Sequence, residues 1–181
     1  MIAVNKYVNR QHLLQYSLDE QLIHGMRVSN LAYQVAKELG ESEEFCHDLA
    51  VAGMLHDIGK EAVSGDLDDM DAPLIVEEIH YVRLHAQASY EILKKEGYKE
   101  TILLAVRHHH ENYDGSGYPD NLSGEAIPLG ARIIRVCDVY AALTSDRPYR
   151  QAFESQSAVQ LMIEEIKDFD VKVFLAFQRM I

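Results

Sequence analysis

Cysteine is scarce in this 181-residue chain, basic residues are outnumbered, and no long apolar run occurs. The two cysteines, Cys46 and Cys137, have neither metal-knuckle spacing nor the density of a secreted disulfide scaffold. No nucleophile signature surrounds either one, so both read as small core residues. Lys and Arg number 17 against 29 Asp and Glu, a formal net charge of −12. That balance works against wrapping DNA or RNA non-specifically. No stretch approaches the ~18 apolar residues of a membrane span, and the opening MIAVNKYVNR lacks the apolar core of a signal peptide. The expected location is the cytoplasm. Internal repeats, low-complexity segments and strand-like alternation are also missing.

What is present is helical periodicity in a composition that is 48% apolar, enough for a single domain over residues 1–181. From Leu18 the apolar residues Leu22, Ile23, Met26, Leu31, Val35 and Leu39 recur at three- and four-residue intervals, and Gly40 can close that helix. Ser42 is placed to cap a second helix reaching about Asp57, with Glu43 and Glu44 on its positive end. The acidic stretch from Glu61 to Asp71 reads as a solvated loop whose spacing fails a calcium hand. Pro73 opens a long helix to Gly97, expected to break once, and another runs from about Lys99 to a histidine cluster. A Gly- and Pro-rich loop over 114–128 precedes a helix from Leu129 to Thr144 that is apolar on nearly all sides and therefore central. Two closing helices over 151–181 complete an all-α architecture.

Chemistry concentrates in histidines and carboxylates. HDIGK, from His56 to Lys60, puts imidazole and carboxylate side by side at a helix end, a pattern shared by ordinary helix caps and by metal sites. Glu20 and His24 are four residues apart on one helical face. His85 sits on a later helix, and His109 and His110 stand at a helix terminus. Asp138 lies on the apolar central helix, where a carboxylate is costly unless a cation meets it, either Arg135 or a metal. Five histidines and three carboxylates favour a multinuclear cluster, and that donor mixture suits Fe, Mn or Zn better than Ca or Mg. Helical geometry turns His108 about 100° from its neighbours, so it is left out of the cluster. His47 and His80 read as solvated or capping residues.

HDIGK, HHENYDGSGYP from His109 to Pro119, IPLGARIIRVCD and LTSDRPYR follow in an order that resembles the HD-GYP group of HD-superfamily phosphohydrolases, over roughly residues 20–150. The resemblance implies an all-α HD bundle with a GYP-containing loop, two or three divalent metal ions, iron or manganese, and hydrolysis of cyclic di-GMP. Position by position, it implies that His24, His56, Asp57 and Asp138 hold one metal. Asp57 would bridge to a second held by His85, His109 and His110, and Glu20 would mark a third. Lys60 would contact a phosphate oxygen or protonate the leaving group. Gly117, Tyr118, Arg147 and Arg150 would help seat the substrate.

Three departures from the family pattern stand out. Ala141 occupies a position that is usually polar or charged, so a contact is expected to be missing. Asn112 stands where an arginine usually follows HHE, which is expected to weaken the bracing of the loop. EAVSGDLDDMDAPL replaces the usual segment after HDIGK, so the family pattern does not define the site wall over 61–74, where access or substrate choice is expected to differ. The chain carries none of the sensory or receiver domains that commonly accompany the family, so regulation is expected from a protein partner or from substrate supply. Competing readings are an HD phosphohydrolase for another cyclic dinucleotide or nucleotide, and a non-catalytic adaptor that binds one.

Overall fold

The computed structural model describes residues 18–60, 62, 75–146 and 150–181, and its regular elements are all helical. They are α1 (Leu18–Glu38), α2 (Glu43–Leu55), α3 (Ile75–Lys95), α4 (Glu100–Arg107), α5 (Leu129–Leu143), α6 (Ser155–Glu164) and α7 (Val171–Gln178). Short 3-10 turns at Gly124–Ala126 and Ile166–Asp168 lie in the connections. The all-α expectation is borne out. Most of the acidic stretch, Pro73, and Arg147 lie outside the described residues.

Local chemistry sets the boundaries. Gly40, at φ +81°, ends α1 in the left-handed conformation, and Ser42 Oγ accepts from Phe45 N at 3.2 Å to start α2. The second helix stops at Leu55, two residues earlier than the sequence suggests. There His56 Nδ1 donates back to the Gly53 carbonyl at 2.8 Å and Ile58 N to that of Leu55 at 3.1 Å, so His56–Ile58 form a turn. The long helix α3 is continuous where a break was expected; Ile75–Lys95 contains neither Pro nor Gly to kink it.

The central helix α5 packs against α1, α2, α4, α6 and α7. Its residues Ala131, Ile133, Ile134, Val136, Cys137 and Ala141 are buried, as the sequence predicts. Burying a side chain such as Ile133 or Ile134 contributes about 1.5–3 kcal/mol, so this helix anchors the bundle. Cys46 and Cys137 are buried free thiols in the same core, and burial pushes the Cys137 thiol up, away from reactivity. One contact sets the site directly. Gly59 lies so close to α3 that a Cβ there would be 2.5 Å from Ser89 N, and its own N–H donates to Ser89 Oγ at 2.8 Å. This glycine brings the turn after α2 against α3 beside His85.

Candidate metal centre

Five elements converge on one buried cluster. His24 comes from α1, His56 and Asp57 from the turn after α2, His85 from α3, His109 and His110 from the end of α4, and Asp138 from α5. His24 Nε2 lies 3.0 Å from Asp138 Oδ1, and His56 Nε2 lies 3.7 Å from the same oxygen. The two Asp57 oxygens divide the cluster: Oδ2 is 3.3 Å from His56 Nε2, whereas Oδ1 is 3.3 Å from His85 Nε2 and 4.0 Å from His109 Nε2. His85 Nε2 also approaches His110 Nε2 at 3.1 Å and His109 Nε2 at 3.4 Å.

Backbone carbonyls orient two of the imidazoles. His56 Nδ1 faces the Gly53 carbonyl at 2.8 Å and His109 Nδ1 the Val106 carbonyl at 2.6 Å. A carbonyl only accepts, so each Nδ1 carries the hydrogen and each Nε2 is turned to the cluster. Burial disfavours charge on His56, but the Asp57 and Asp138 carboxylates outweigh it and its pKa is raised to about 10. Burial likewise works against the Asp57 and Asp138 carboxylates. For Asp57 the neighbouring His56 and Lys60 cations, and for Asp138 the His24 and His56 imidazoles, hold the carboxyl well below the usual range. Burial and neighbouring imidazoles push His109 well down and His110 to about 3, so both stay neutral.

These residues fit metal ions. His24, His56 and Asp57 offer ligand atoms within 4.8 Å of one another, as do Asp57, His85, His109 and His110. His24 Nδ1, His56 Nε2 and Asp57 Oδ1 are buried without a properly formed hydrogen bond, although His56 Nε2 is within ion-pair range of two carboxylates. Buried polar atoms left this way are costly, and a shared cation satisfies them. The ionised Asp57 and Asp138 carboxylates and the neutral His109 and His110 imidazoles are in the protonation states that ligation requires, whereas His56 carries a proton that a bound cation would displace.

The GYP loop folds back on the end of α4. A Cβ on Gly117 would lie 2.5 Å from Glu111 Cα, so only glycine fits there, and Tyr118 N donates to the His110 carbonyl at 3.2 Å. The Tyr118 ring stacks on His110, centroids 4.8 Å apart, and burial pushes its hydroxyl pKa up, keeping it protonated. Buried Glu111 accepts from Asp120 N at 2.7 Å and Leu122 N at 3.1 Å. Sequence reasoning missed this brace, although the HHE motif contained its signal.

Several other expected residues have informative positions. Lys60 Nζ donates to Asp57 Oδ2 at 2.5 Å. Arg150 directs its guanidinium to the carbonyls of Ala142, Leu143 and Gln151, capping the end of α5. Glu20 is exposed in the first turn of α1 and belongs to neither group of converging donors. Ala141 is fully buried in the α5 core. Asn112 corrects the expected weakness of the loop: its Oδ1 accepts from Arg135 Nε at 3.0 Å and its Nδ2 donates to Ser116 Oγ at 2.9 Å, tying α5 to the loop. His108 faces Glu111 and Asp120 instead of the cluster, and His47 pairs with Glu43 at an exposed position. Sequence reasoning also missed Arg83, whose guanidinium carbon lies 5.2 Å from the centre of the Tyr118 ring.

The chain belongs to the HD domain family, whose model matches residues 8–173. Its HD-GYP resemblance is borne out by its relatives. It is 43% identical over 136 residues, 74% of this chain and 36% of the other, to the cyclic di-GMP phosphodiesterase response regulator RpfG of Xanthomonas campestris. It is 34% identical over 143 residues, 79% of this chain and 33% of the other, to 3'3'-cGAMP-specific phosphodiesterase 1 of Vibrio cholerae. The chain thus spans about a third of the length of these two relatives. In fold it is similar to Bd1817, an HDG"Y"P protein of Bdellovibrio bacteriovorus, with a TM-score of 0.71 and 18% identity over 91% of this chain and 54% of the other. None of the helices among the described residues is long and apolar enough to cross a membrane.

Proposed function

We propose that this chain is one domain over residues 1–181 and a metal-dependent phosphodiesterase that opens cyclic di-GMP to the linear dinucleotide and continues to GMP. The observation that carries the reading is the convergence of seven donors from five elements, divided by the two oxygens of Asp57. His24, His56, Asp57 and Asp138 hold one divalent ion, and Asp57, His85, His109 and His110 a second, iron or manganese. Glu20, one turn before His24, is the candidate ligand for a third. Two such ions would supply a hydroxide near neutral pH and charge stabilisation for the phosphodiester. Lys60, oriented by Asp57, directs an N–H at a phosphate oxygen or gives a proton to the leaving oxygen. Gly117 and Tyr118 form a wall of the site. Arg147 and Arg150 contact substrate, and the Arg150 guanidinium also donates to the carbonyls of Ala142, Leu143 and Gln151.

A second substrate, 3'3'-cGAMP, follows from the relative named for it and from the departures at Ala141 and over 61–74. Intact donors speak against an adaptor without turnover. A cytoplasmic location fits the two buried free thiols, and regulation by a protein partner remains part of the reading. An anaerobic chromatographic time course with iron- or manganese-loaded protein tests this proposal. Linear dinucleotide or GMP should form from cyclic di-GMP and vanish with Asp57→Ala. Metal-replete protein that cleaves 3'3'-cGAMP alone would change the substrate, and one that cleaves neither would overturn the reading.

A further inference from the structure

Most arginines near the site are already engaged by neighbours. Arg135 is bonded to Asn112, Arg150 to the carbonyls at the end of α5, and Arg27 to Thr144 and Ser145. Farther out, Arg107 pairs with Asp120 and Arg132 with Asp170. Arg83 is different. It is exposed on α3, two residues before His85, and among the described residues its guanidinium makes no hydrogen bond or ion pair. It rests instead against the ring of Tyr118, which itself stacks on His110. A cation resting on an aromatic ring keeps its N–H edge available, and a guanidinium edge matches two phosphate oxygens. In a chain of net charge −12, an arginine with no acidic partner among the described residues, beside a cluster of metal-ligating side chains, is itself informative.

A cyclic dinucleotide carries two phosphodiesters, and only one can occupy the cluster while it is cut. We propose that Arg83 receives the other phosphate, held in place by Tyr118, and so selects two-phosphate cyclic substrates over simple phosphodiesters. The inference rests on the phosphodiesterase reading above. Contacts of 4.8 Å from His110 to Tyr118 and 5.2 Å from Tyr118 to Arg83 lead outward from the cluster to this second position.

The test compares wild type, Arg83→Ala and Arg83→Lys, each loaded with manganese and assayed for bound metal. Substrates are cyclic di-GMP, 3'3'-cGAMP, cyclic di-AMP and bis(p-nitrophenyl) phosphate. Each dinucleotide is also measured as an inhibitor of bis(p-nitrophenyl) phosphate hydrolysis, which reads binding without turnover. Arg83→Ala should raise KM or the inhibition constant about tenfold for every cyclic dinucleotide, more than it lowers kcat, with a smaller loss on the simple diester. Arg83→Lys, which keeps charge but loses the fork, should fall between.

Equal losses on all substrates, or loss of bound metal, would overturn the proposal and make Arg83 a structural support of Tyr118. A loss confined to guanine-containing ligands would overturn it in favour of a base contact. Tight wild-type binding unchanged in Arg83→Ala would reject Arg83 while leaving the phosphodiesterase reading intact. If wild type neither cleaves nor is inhibited by any cyclic dinucleotide, the reading of function fails and this inference with it.

Discussion

Lys60 Nζ and Asp57 Oδ2 are 2.5 Å apart, and the same oxygen faces His56 Nε2 at 3.3 Å. The lysine is thus tethered to the carboxylate that divides the cluster. Its ammonium is held over the site by a charge-assisted bond, which limits its motion.

Lys60→Met should lower kcat on cyclic di-GMP by about a hundredfold or more if Lys60 protonates the leaving oxygen, with bound metal retained. The check is steady-state kinetics beside metal analysis of the same sample. Unchanged kcat would assign the lysine to holding Asp57 alone.

The titration pattern predicts a stability maximum for chelator-treated protein. Asp57 and Asp138 raise His56 from its ordinary 6.5 to about 10, so its contribution is complete below pH 6.5 and disappears as pH rises toward 10. His110 moves the other way, from 6.5 to about 3, because burial keeps it neutral; its contribution is complete above pH 6.5 and is lost as pH falls. His109 is lowered in the same sense. Urea midpoints of the metal-free protein should therefore peak near pH 6.5 and decline on both sides. A midpoint rising steadily from pH 6 to 9 would contradict the His56 assignment.

Gly59→Ala places a methyl 2.5 Å from Ser89 N and 2.8 Å from Ser89 Oγ, against backbone that cannot yield easily. Overpacking of this kind costs about 1–3 kcal/mol and should displace His85 from Asp57. Urea unfolding and metal content should both fall. Wild-type values in both would mean that the contact between this turn and α3 does not set the site.

The cluster was legible in the sequence because its donors sit in short motifs at helix ends or on helical faces: HDIGK, HHE, and a lone carboxylate in an apolar helix. Spacing along one element is local information. Contacts between elements were not legible. Asn112 was expected to weaken the loop, yet it bridges Arg135 and Ser116, because its value depends on a residue 23 positions away on α5. Arg150 reads as a substrate ligand in the sequence, where its bonds to the carbonyls of Ala142 and Leu143 at the end of α5 and of Gln151 next to it leave no signal. Ala141 was expected to leave a contact missing, and it lies fully buried among core residues. Arg83 carried no motif at all; its significance appears only when α3 and the GYP loop meet at Tyr118. The end of α2 was misplaced by two residues because His56 turns back to Gly53 instead of extending the helix.

The central claim is that Asp57 joins two metal positions, and the most direct measurement is bound metal per chain in wild type, Asp57→Ala and His109→Ala after anaerobic loading with iron or manganese. Wild type should bind at least two ions, His109→Ala should lose one, and Asp57→Ala should lose both while keeping its helical circular dichroism. An Asp57→Ala protein that retains two ions would contradict the account.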